Sequence, residues 1–209
     1  MVIGRSGSGK STSLRNFEEG EVGIFNVAGK PLPFRKRLTK LDHAAYSQIT
    51  GSLAKNAMRA YVIDDSTYLM QFDNFRRAKD TGYGKFTDMA VSFERLLEAA
   101  LHTDADTVVY FLHHPDAAED GSIKPKSIGR MLDEKLCIEG LFPIVIECEV
   151  RDGKHVFVTE NDGRGIAKAP MGMLPAVMDN DLKAVDAAIR EYWGMAPLGK
   201  EEGDAQQSD

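Results

Sequence analysis

The sequence has little of what secreted, membrane-spanning or nucleic-acid-coating proteins need. Its 209 residues include two cysteines and one tryptophan, too few cysteines for a disulfide framework. No apolar run approaches the roughly 18 residues of a membrane span, and no secretory signal peptide is recognisable. Positive charge is also scarce, because 26 Lys and Arg face 32 Asp and Glu. We therefore expect a soluble cytoplasmic protein whose basic surface, if present, is local.

Apolar residues are present in sufficient number for one packed core. Hydrophobic residues make up 43% of the chain and charged residues 28%, and no linker divides the sequence. We expect a single domain over residues 1–198. Residues 199–209 lack large apolar side chains and include several acidic ones, which predicts a disordered acidic tail.

The most specific pattern is a glycine-rich loop near residue 1. Residues 4–11 read G-R-S-G-S-G-K-S, which matches the G-x-x-x-x-G-K-S loop of nucleoside triphosphatases. Its glycines let the main chain wrap closely around a phosphate, so that N–H groups and the following helix N-terminus face the anion. We expect the nucleotide to contact Gly4, Arg5, Ser6, Gly7, Ser8, Gly9, Lys10, Ser11 and Thr12.

Two residues of this loop have chemical roles that the motif predicts. Lys10 is expected to neutralise the β- and γ-phosphate oxygens as a catalytic residue, and Ser11 to bind Mg²⁺. The motif does not distinguish ATP from GTP. Only three residues precede the loop, whereas a central strand usually has about five, so either the first strand is short or an N-terminal extension is missing.

A second apolar run, over residues 60–63, ends in Asp64 and Asp65. Because ligands of parallel sheets bind beyond the carboxyl ends of the strands, Asp64 is expected to bind Mg²⁺ directly or through water. Asp65 is a candidate catalytic residue that orients or deprotonates the attacking water. The alternative for Asp65 is an N-cap before the next helix.

A third apolar run, over residues 107–112, ends in His113 and His114. One of these histidines, with His114 favoured, is a candidate sensor of the γ-phosphate at the end of its strand. The alternative is a histidine that is hydrogen-bonded to the main chain. The sequence does not decide between the two side chains.

Basic residues are concentrated in two parts of the chain. Residues 30–40 contain five basic and no acidic residues, and with Arg76, Arg77 and Lys79 they are candidates for contact with a phosphodiester backbone. The second group could reach the triphosphate of a neighbouring subunit or form a kinase lid, and consists of Lys124, Lys126, Arg130 and Lys135. For both groups the alternative is a solvated surface.

The order of the patterns predicts the fold class. Apolar strand-like runs alternate with helical spacing, which favours an α/β fold with a mostly parallel sheet and helices on both faces. The Asp152-Gly153 pair lies between two β-rich runs and predicts an antiparallel hairpin at one edge of the sheet. Residues 117–127 are polar and are expected to form a mobile surface segment.

Beyond these general patterns, seven segments resemble a known family. They are V-I-D-D-S-T-Y-L-M at 62–70, K-F-T at 85–87, F-L-H-H at 111–114, S-I-G-R-M-L-D-E-K at 127–135, E-G-L-F at 139–142, and N-D-G with A-K-A-P-M-G-M at 161–163 and 167–173. Together they resemble phage-encoded ATP-binding proteins with a RecA-like P-loop core, a group related to the Sak-type single-strand annealing ATPases. The resemblance extends over nearly the whole chain, from residue 2 to about 192.

The resemblance implies a phage or prophage Mg-ATP hydrolase of the bacterial host cytoplasm that acts in DNA recombination or replication. ATP and Mg²⁺ are the implied cofactors, and single-stranded DNA, a single-strand-binding protein and further copies of the chain are the implied partners. No aromatic DNA-binding loop is obvious in the sequence. Two alternatives remain, a P-loop kinase that phosphorylates a small metabolite or nucleotide, and a nucleotide-gated scaffold for a replication partner.

Overall fold

An eight-stranded sheet runs through the computed structural model, which describes residues 1–117, 121–161, 163 and 165–198. In spatial order the strands are β10 (Val177–Asp179), β9 (Lys154–Val158), β8 (Ile146–Arg151), β1 (Val2–Ile3), β5 (Val108–His113), β4 (Ala60–Asp64), β2 (Gly23–Asn26) and β3 (Lys40–Asp42). Strands β8, β1, β5, β4, β2 and β3 are parallel. Strands β9 and β10 are added antiparallel. A mostly parallel sheet with an antiparallel edge hairpin is thus confirmed.

Helices cover both faces of this sheet, as predicted. The α-helices are α1 (Tyr46–Leu53), α2 (Thr67–Arg76), α3 (Gly84–Leu101), α4 (Arg130–Lys135) and α5 (Leu182–Trp193), and two 3₁₀ helices span Ser11–Asn16 and Glu139–Leu141. Helices α1 to α4 pack on one apolar cluster, and α5 with the first 3₁₀ helix packs on the other. Successive strand residues alternate between the clusters, so that Ile63 faces one and Val62 the other.

Strand β1 is short but central. Its two residues, Val2 and Ile3, pair with β5 on one side and β8 on the other, and both are 1% exposed. Because Val2 lies opposite Leu112, the first four residues of β5 extend beyond the start of β1. An apolar cavity of about 470 Å³ lies there, lined in part by Val108 and Ile144.

Part of the polar segment after β5 forms regular structure. Residues expected to form a mobile surface segment instead include β7 (Ile123–Pro125), which pairs antiparallel with β6 (Pro115–Ala117). That expectation was wrong for these residues. Main-chain hydrogen bonds and the burial of Pro125 give them a regular structure, although their polar composition is typical of a surface loop. Residues 118–120 and the tail predicted over 199–209 lie outside the described residues.

The predicted hairpin turn is confirmed. Arg151 pairs with Lys154, and Asp152 and Gly153 between them have φ values of 50° and 75°. Two successive positive φ angles are the feature of the type I′ turn that an Asp-Gly pair favours. Among the described residues, no helix combines the length and apolarity required to cross a membrane.

A buried ion pair within α5 connects this helix, through hydrogen bonds, to the segments that precede β4 and β5. Arg190 Nε donates to Asp186 Oδ2 at 2.6 Å, and the Tyr110 hydroxyl donates to Asp186 Oδ1 at 2.7 Å. The same guanidinium donates to the carbonyls of Asp106, Ala196 and Arg59 at 2.7 to 2.9 Å. Because both charges are almost fully buried, each one depends on the other for its solvation.

We expect Arg190→Met to lower the free energy of unfolding by about 3–5 kcal/mol, because the Asp186 carboxylate would remain buried without its cation. Urea unfolding monitored by circular dichroism measures this loss. The double variant Asp186→Leu/Arg190→Met should lose less than the single variant, since no unpaired charge remains. A double variant that loses as much would show that the buried charge is not the cause.

Candidate functional site

The glycine-rich loop (Gly4–Ser11) begins at the carboxyl end of β1. The Gly4 N–H donates to His113 O and the Ser8 N–H to Arg5 O, both at 3.2 Å. Gly7 and Gly9 have φ values of +80° and +104°, which residues with a Cβ rarely adopt. These hydrogen bonds and φ angles give the loop a fixed, curved main chain. The helix after it, Ser11–Asn16, is a 3₁₀ helix.

The edge hairpin of β8 and β9 holds the outer side of this loop. Cys148 Sγ donates to the Ser8 carbonyl oxygen at 3.2 Å, and His155 Nδ1 donates to the same oxygen at 2.7 Å. A Cβ added at Gly9 would lie 2.9 Å from His155 Nδ1, and one added at Gly4 would lie 2.4 Å from Cys148 O. Glycine is therefore required at both positions by close approach of the hairpin as well as by the motif.

Lys10 lies inside the loop. Its ammonium donates to the carbonyls of Gly4 at 2.7 Å and Arg5 at 3.2 Å, and the residue is 5% exposed. Burial lowers its pKa, and the neighbouring Asp65 and Asp64 charges partly oppose that effect. The lysine thus places a desolvated cation within the curve of the main chain. A phosphate there could replace one or both carbonyls as the acceptor of its hydrogen bonds.

Asp64 ends β4 and contacts the loop. The Ser11 hydroxyl donates to Asp64 Oδ1 at 2.9 Å, so the two residues predicted to bind Mg²⁺ are brought together across 53 positions of sequence. Burial, with a smaller contribution from the Asp65 charge, raises the pKa of Asp64 to about 6. A desolvated carboxylate of this kind is stabilised by a nearby cation.

The donor set fits a magnesium ion better than an ion held by protein alone. Among the described residues, no group of three or more His, Cys, Asp or Glu side chains could hold a metal. Mg²⁺ usually takes one or two protein oxygens and completes its shell with water and substrate phosphate. A hydroxyl and one carboxylate, from Ser11 and Asp64, match that requirement.

Asp65 has a different environment from its neighbour. Its Oδ2 accepts from Lys30 Nζ at 2.7 Å, and its Oδ1 lies 3.2 Å from His114 Nε2. Burial alone would raise its pKa, but the hydrogen bonds from His114 and Lys30 outweigh that effect and lower the pKa to about 2. The residue also has a φ of 59°, a strained value for a non-glycine residue. The side chain therefore serves as an ionised anchor rather than as a helix N-cap.

The two histidines at the end of β5 are in different surroundings. His113 is fully buried, with Nδ1 2.8 Å from Ser66 Oγ and Nε2 2.8 Å from the carbonyl of Lys126. Burial lowers the pKa of His113 to about 4, so the ring is neutral and Nε2 carries the hydrogen that is donated to that carbonyl. His114 instead faces Asp65. Of the pair, only His114 is placed to contact a ligand at the strand ends.

A cleft of about 850 Å³ lies beside the loop. It is lined by loop residues from Gly4 to Ser8, by Tyr68 and His114, by residues of β6 and β7, and by Lys126. Among the second predicted basic group, Lys126 is thus the residue that reaches this cleft. Lys124 is paired with Asp133 at 2.6 Å.

The predicted nucleic-acid residues are only partly available. Arg77 pairs with Asp80 at 2.9 Å and Asp88 at 2.8 Å, which braces the connection between α2 and α3. Beside it, two aromatic side chains are strongly exposed, Phe75 at 78% and Tyr83 at 88%. Sequence analysis predicted basic residues here but not these two rings, because composition alone does not show which aromatic side chains remain exposed.

A scan against models of protein families finds no match, and a search of curated proteins finds no similar sequence.

Sequence reasoning missed Cys148, His155 and the contact of Lys30 with Asp65. The first two are separated from Ser8 by 140 and 147 positions. Only the folded sheet brings them to the loop.

We expect Asp64→Asn to stabilise the protein at pH 7.5 by up to about 3 kcal/mol, as implied by a pKa raised from 3.8 to about 6. A raised carboxyl pKa means that the folded state binds more protons than the unfolded state between pH 4 and 6, so the wild type loses stability as pH rises through that range. The asparagine variant has no such titration. Thermal unfolding at pH 4.5 and 7.5 should show the gain only at the higher pH, and a less stable variant at pH 7.5 would contradict the argument.

Proposed function

We propose that the protein is a P-loop ATPase with a RecA-like core that binds Mg-ATP and hydrolyses it slowly by attack of water on the γ-phosphate. The observation that carries the proposal is the contact between Ser11 and Asp64, 2.9 Å long. It unites the hydroxyl of the loop after β1 with the acidic end of β4, a parallel strand that β5 separates from β1, and this pairing is the one that Mg²⁺ and triphosphate binding require.

The chain's own residues supply complementary parts of this reaction. Lys10 neutralises phosphate oxygens, and the loop's main-chain N–H groups surround them. Ser11 and Asp64 would hold Mg²⁺, which when bound neutralises charge on the β- and γ-phosphates. Asp65, ionised and engaged by His114, is suited to orient a water molecule rather than to accept its proton, because its pKa of about 2 makes it a weak base.

A role with single-stranded DNA is supported by the surface between α2 and α3. Phe75 and Tyr83 expose their rings, and Arg76 is exposed next to the first of them. Exposed rings with neighbouring cations are what sequence-tolerant binding of single strands uses, through base stacking and phosphate contact. DNA recombination or replication in a phage or prophage is the setting that we propose for this activity.

The kinase alternative is favoured by one observation, the cleft of about 850 Å³ beside the loop with the β6–β7 pair along it. Such a cleft could take a phosphate acceptor. The two functions differ in phosphate release, because an ATPase releases phosphate without an acceptor whereas a kinase transfers it.

Lys10→Ala should abolish ATP turnover and weaken ATP binding by at least about a hundredfold, because the buried ammonium inside the loop is lost. Phosphate release and titration calorimetry with Mg-ATP measure the two effects. Lys55→Ala, an exposed lysine at the end of α1, is the matched control and should resemble the wild type. Unchanged turnover in Lys10→Ala would remove this lysine from the mechanism.

Phe75→Ala and Tyr83→Ala should each weaken binding to a single-stranded oligonucleotide by about 1–3 kcal/mol without lowering stability, because each removes an exposed ring that stacks on a base. Fluorescence anisotropy at several salt concentrations measures the affinity, which should fall steeply for the wild type as salt rises. Tyr192→Ala, on α5, is the aromatic control. Salt-independent binding, or equal losses in all three variants, would contradict this surface.

A further inference from the structure

Lys30 is a cation that lies near the candidate site, and the glycine-rich loop motif does not predict a role for it. It follows β2, and its ammonium donates to Asp65 Oδ2 at 2.7 Å and lies 5.2 Å from the centre of the Tyr68 ring. Its side chain is 59% exposed, whereas that of Asp65 is 9% exposed. The pair therefore joins a solvated cation to a carboxylate fixed in the protein.

The main chain at Lys30 is fixed while its side chain is accessible. The Asn26 side-chain amide, itself 2% exposed, donates to Lys30 O and to Asp42 Oδ1, both at 2.6 Å. The preceding Gly29 has a φ of 67° and packs against His43, since a Cβ there would lie 2.1 Å from that ring. The ammonium can thus move on its flexible stem without a change in the segment that carries it.

Lys30 also acts electrostatically on the residues proposed to bind Mg-ATP. Burial has the largest influence on both pKa values, lowering that of Lys10 and raising that of Asp64. The Lys30 charge has a smaller influence and lowers both pKa values. Register places Asn26 of β2 beside Asp64 of β4, so the segment that carries Lys30 leaves the sheet next to the proposed metal ligand. Lys10 and Lys30 therefore both contribute positive charge near Asp64.

We propose that Lys30 is a second cation for the terminal phosphate of a nucleoside triphosphate, held by Asp65 in the nucleotide-free protein and shared with the γ-phosphate on binding. The inference rests on the proposed function and adds selectivity for triphosphate over diphosphate. A charged phosphate oxygen competes with the Asp65 carboxylate for hydrogen bonds from the Lys30 ammonium. Because the lysine is mostly solvated, its transfer carries little desolvation penalty.

The test compares Mg-ATP with Mg-ADP. Lys30→Ala should weaken ATP binding by about tenfold or more and ADP binding by less than about threefold, since only the triphosphate presents the group that Lys30 contacts. Lys30→Arg keeps a cation and should restore most of the preference for ATP. Lys55→Ala is the control for loss of one positive charge, and it should leave both affinities unchanged.

Thermal unfolding of the nucleotide-free variants separates this role from a structural one. A lysine that only steadies Asp65 would lower the unfolding temperature and weaken ATP and ADP equally when removed, and equal losses would overturn the inference. An unchanged preference for ATP in Lys30→Ala would overturn it as well. If the unaltered protein binds neither nucleotide, the proposed function fails together with it.

Discussion

The parallel pairing of β1, β5, β4 and β2 is the constraint on which the candidate site depends. Parallel strands end at the same edge of a sheet, so the loop after β1, the acids at the end of β4 and the histidines at the end of β5 meet although they are far apart in sequence. The register is specific, because Val2 lies opposite Leu112 and Ile63 opposite Phe111. A slip of one residue would turn the apolar side chains of a strand to the wrong cluster. Burial on both faces therefore fixes the positions of the polar residues at the strand ends.

Two adjacent aspartates at this edge of the sheet have different surroundings and therefore different pKa values. Asp64 accepts one hydrogen bond from Ser11 and is otherwise desolvated, so its pKa is about 6. Asp65 is engaged by Lys30 and His114, and its pKa is about 2. Titratable groups whose surroundings separate their pKa values in this way are typical of functional sites. The strained φ of Asp65 is consistent with the same interpretation, since the fold holds the residue against its local preference.

How much of this could be read from the sequence depends on the range of each contact. The loop motif and the apolar run before Asp64 are local, and they predicted Ser11 and Asp64 as neighbours although 53 positions separate them. The choice between His113 and His114 was not local, because it depends on which side chain the pleat turns toward Ser66 and which toward Asp65. The β6–β7 pair was missed because residues of polar composition can be ordered by main-chain pairing alone.

The hairpin of β8 and β9 makes the loop dependent on a part of the chain far from it in sequence. One carbonyl, that of Ser8, accepts from both Cys148 and His155, and the hairpin leaves no room for a Cβ at Gly4 or Gly9. A ligand that requires the curvature held by these two donors would therefore bind more tightly when they are in place. By linkage, such a ligand would stabilise the hairpin to the same extent. Strands β8 and β9, which contain no residue of the glycine-rich motif, would thus contribute to the free energy of binding of such a ligand.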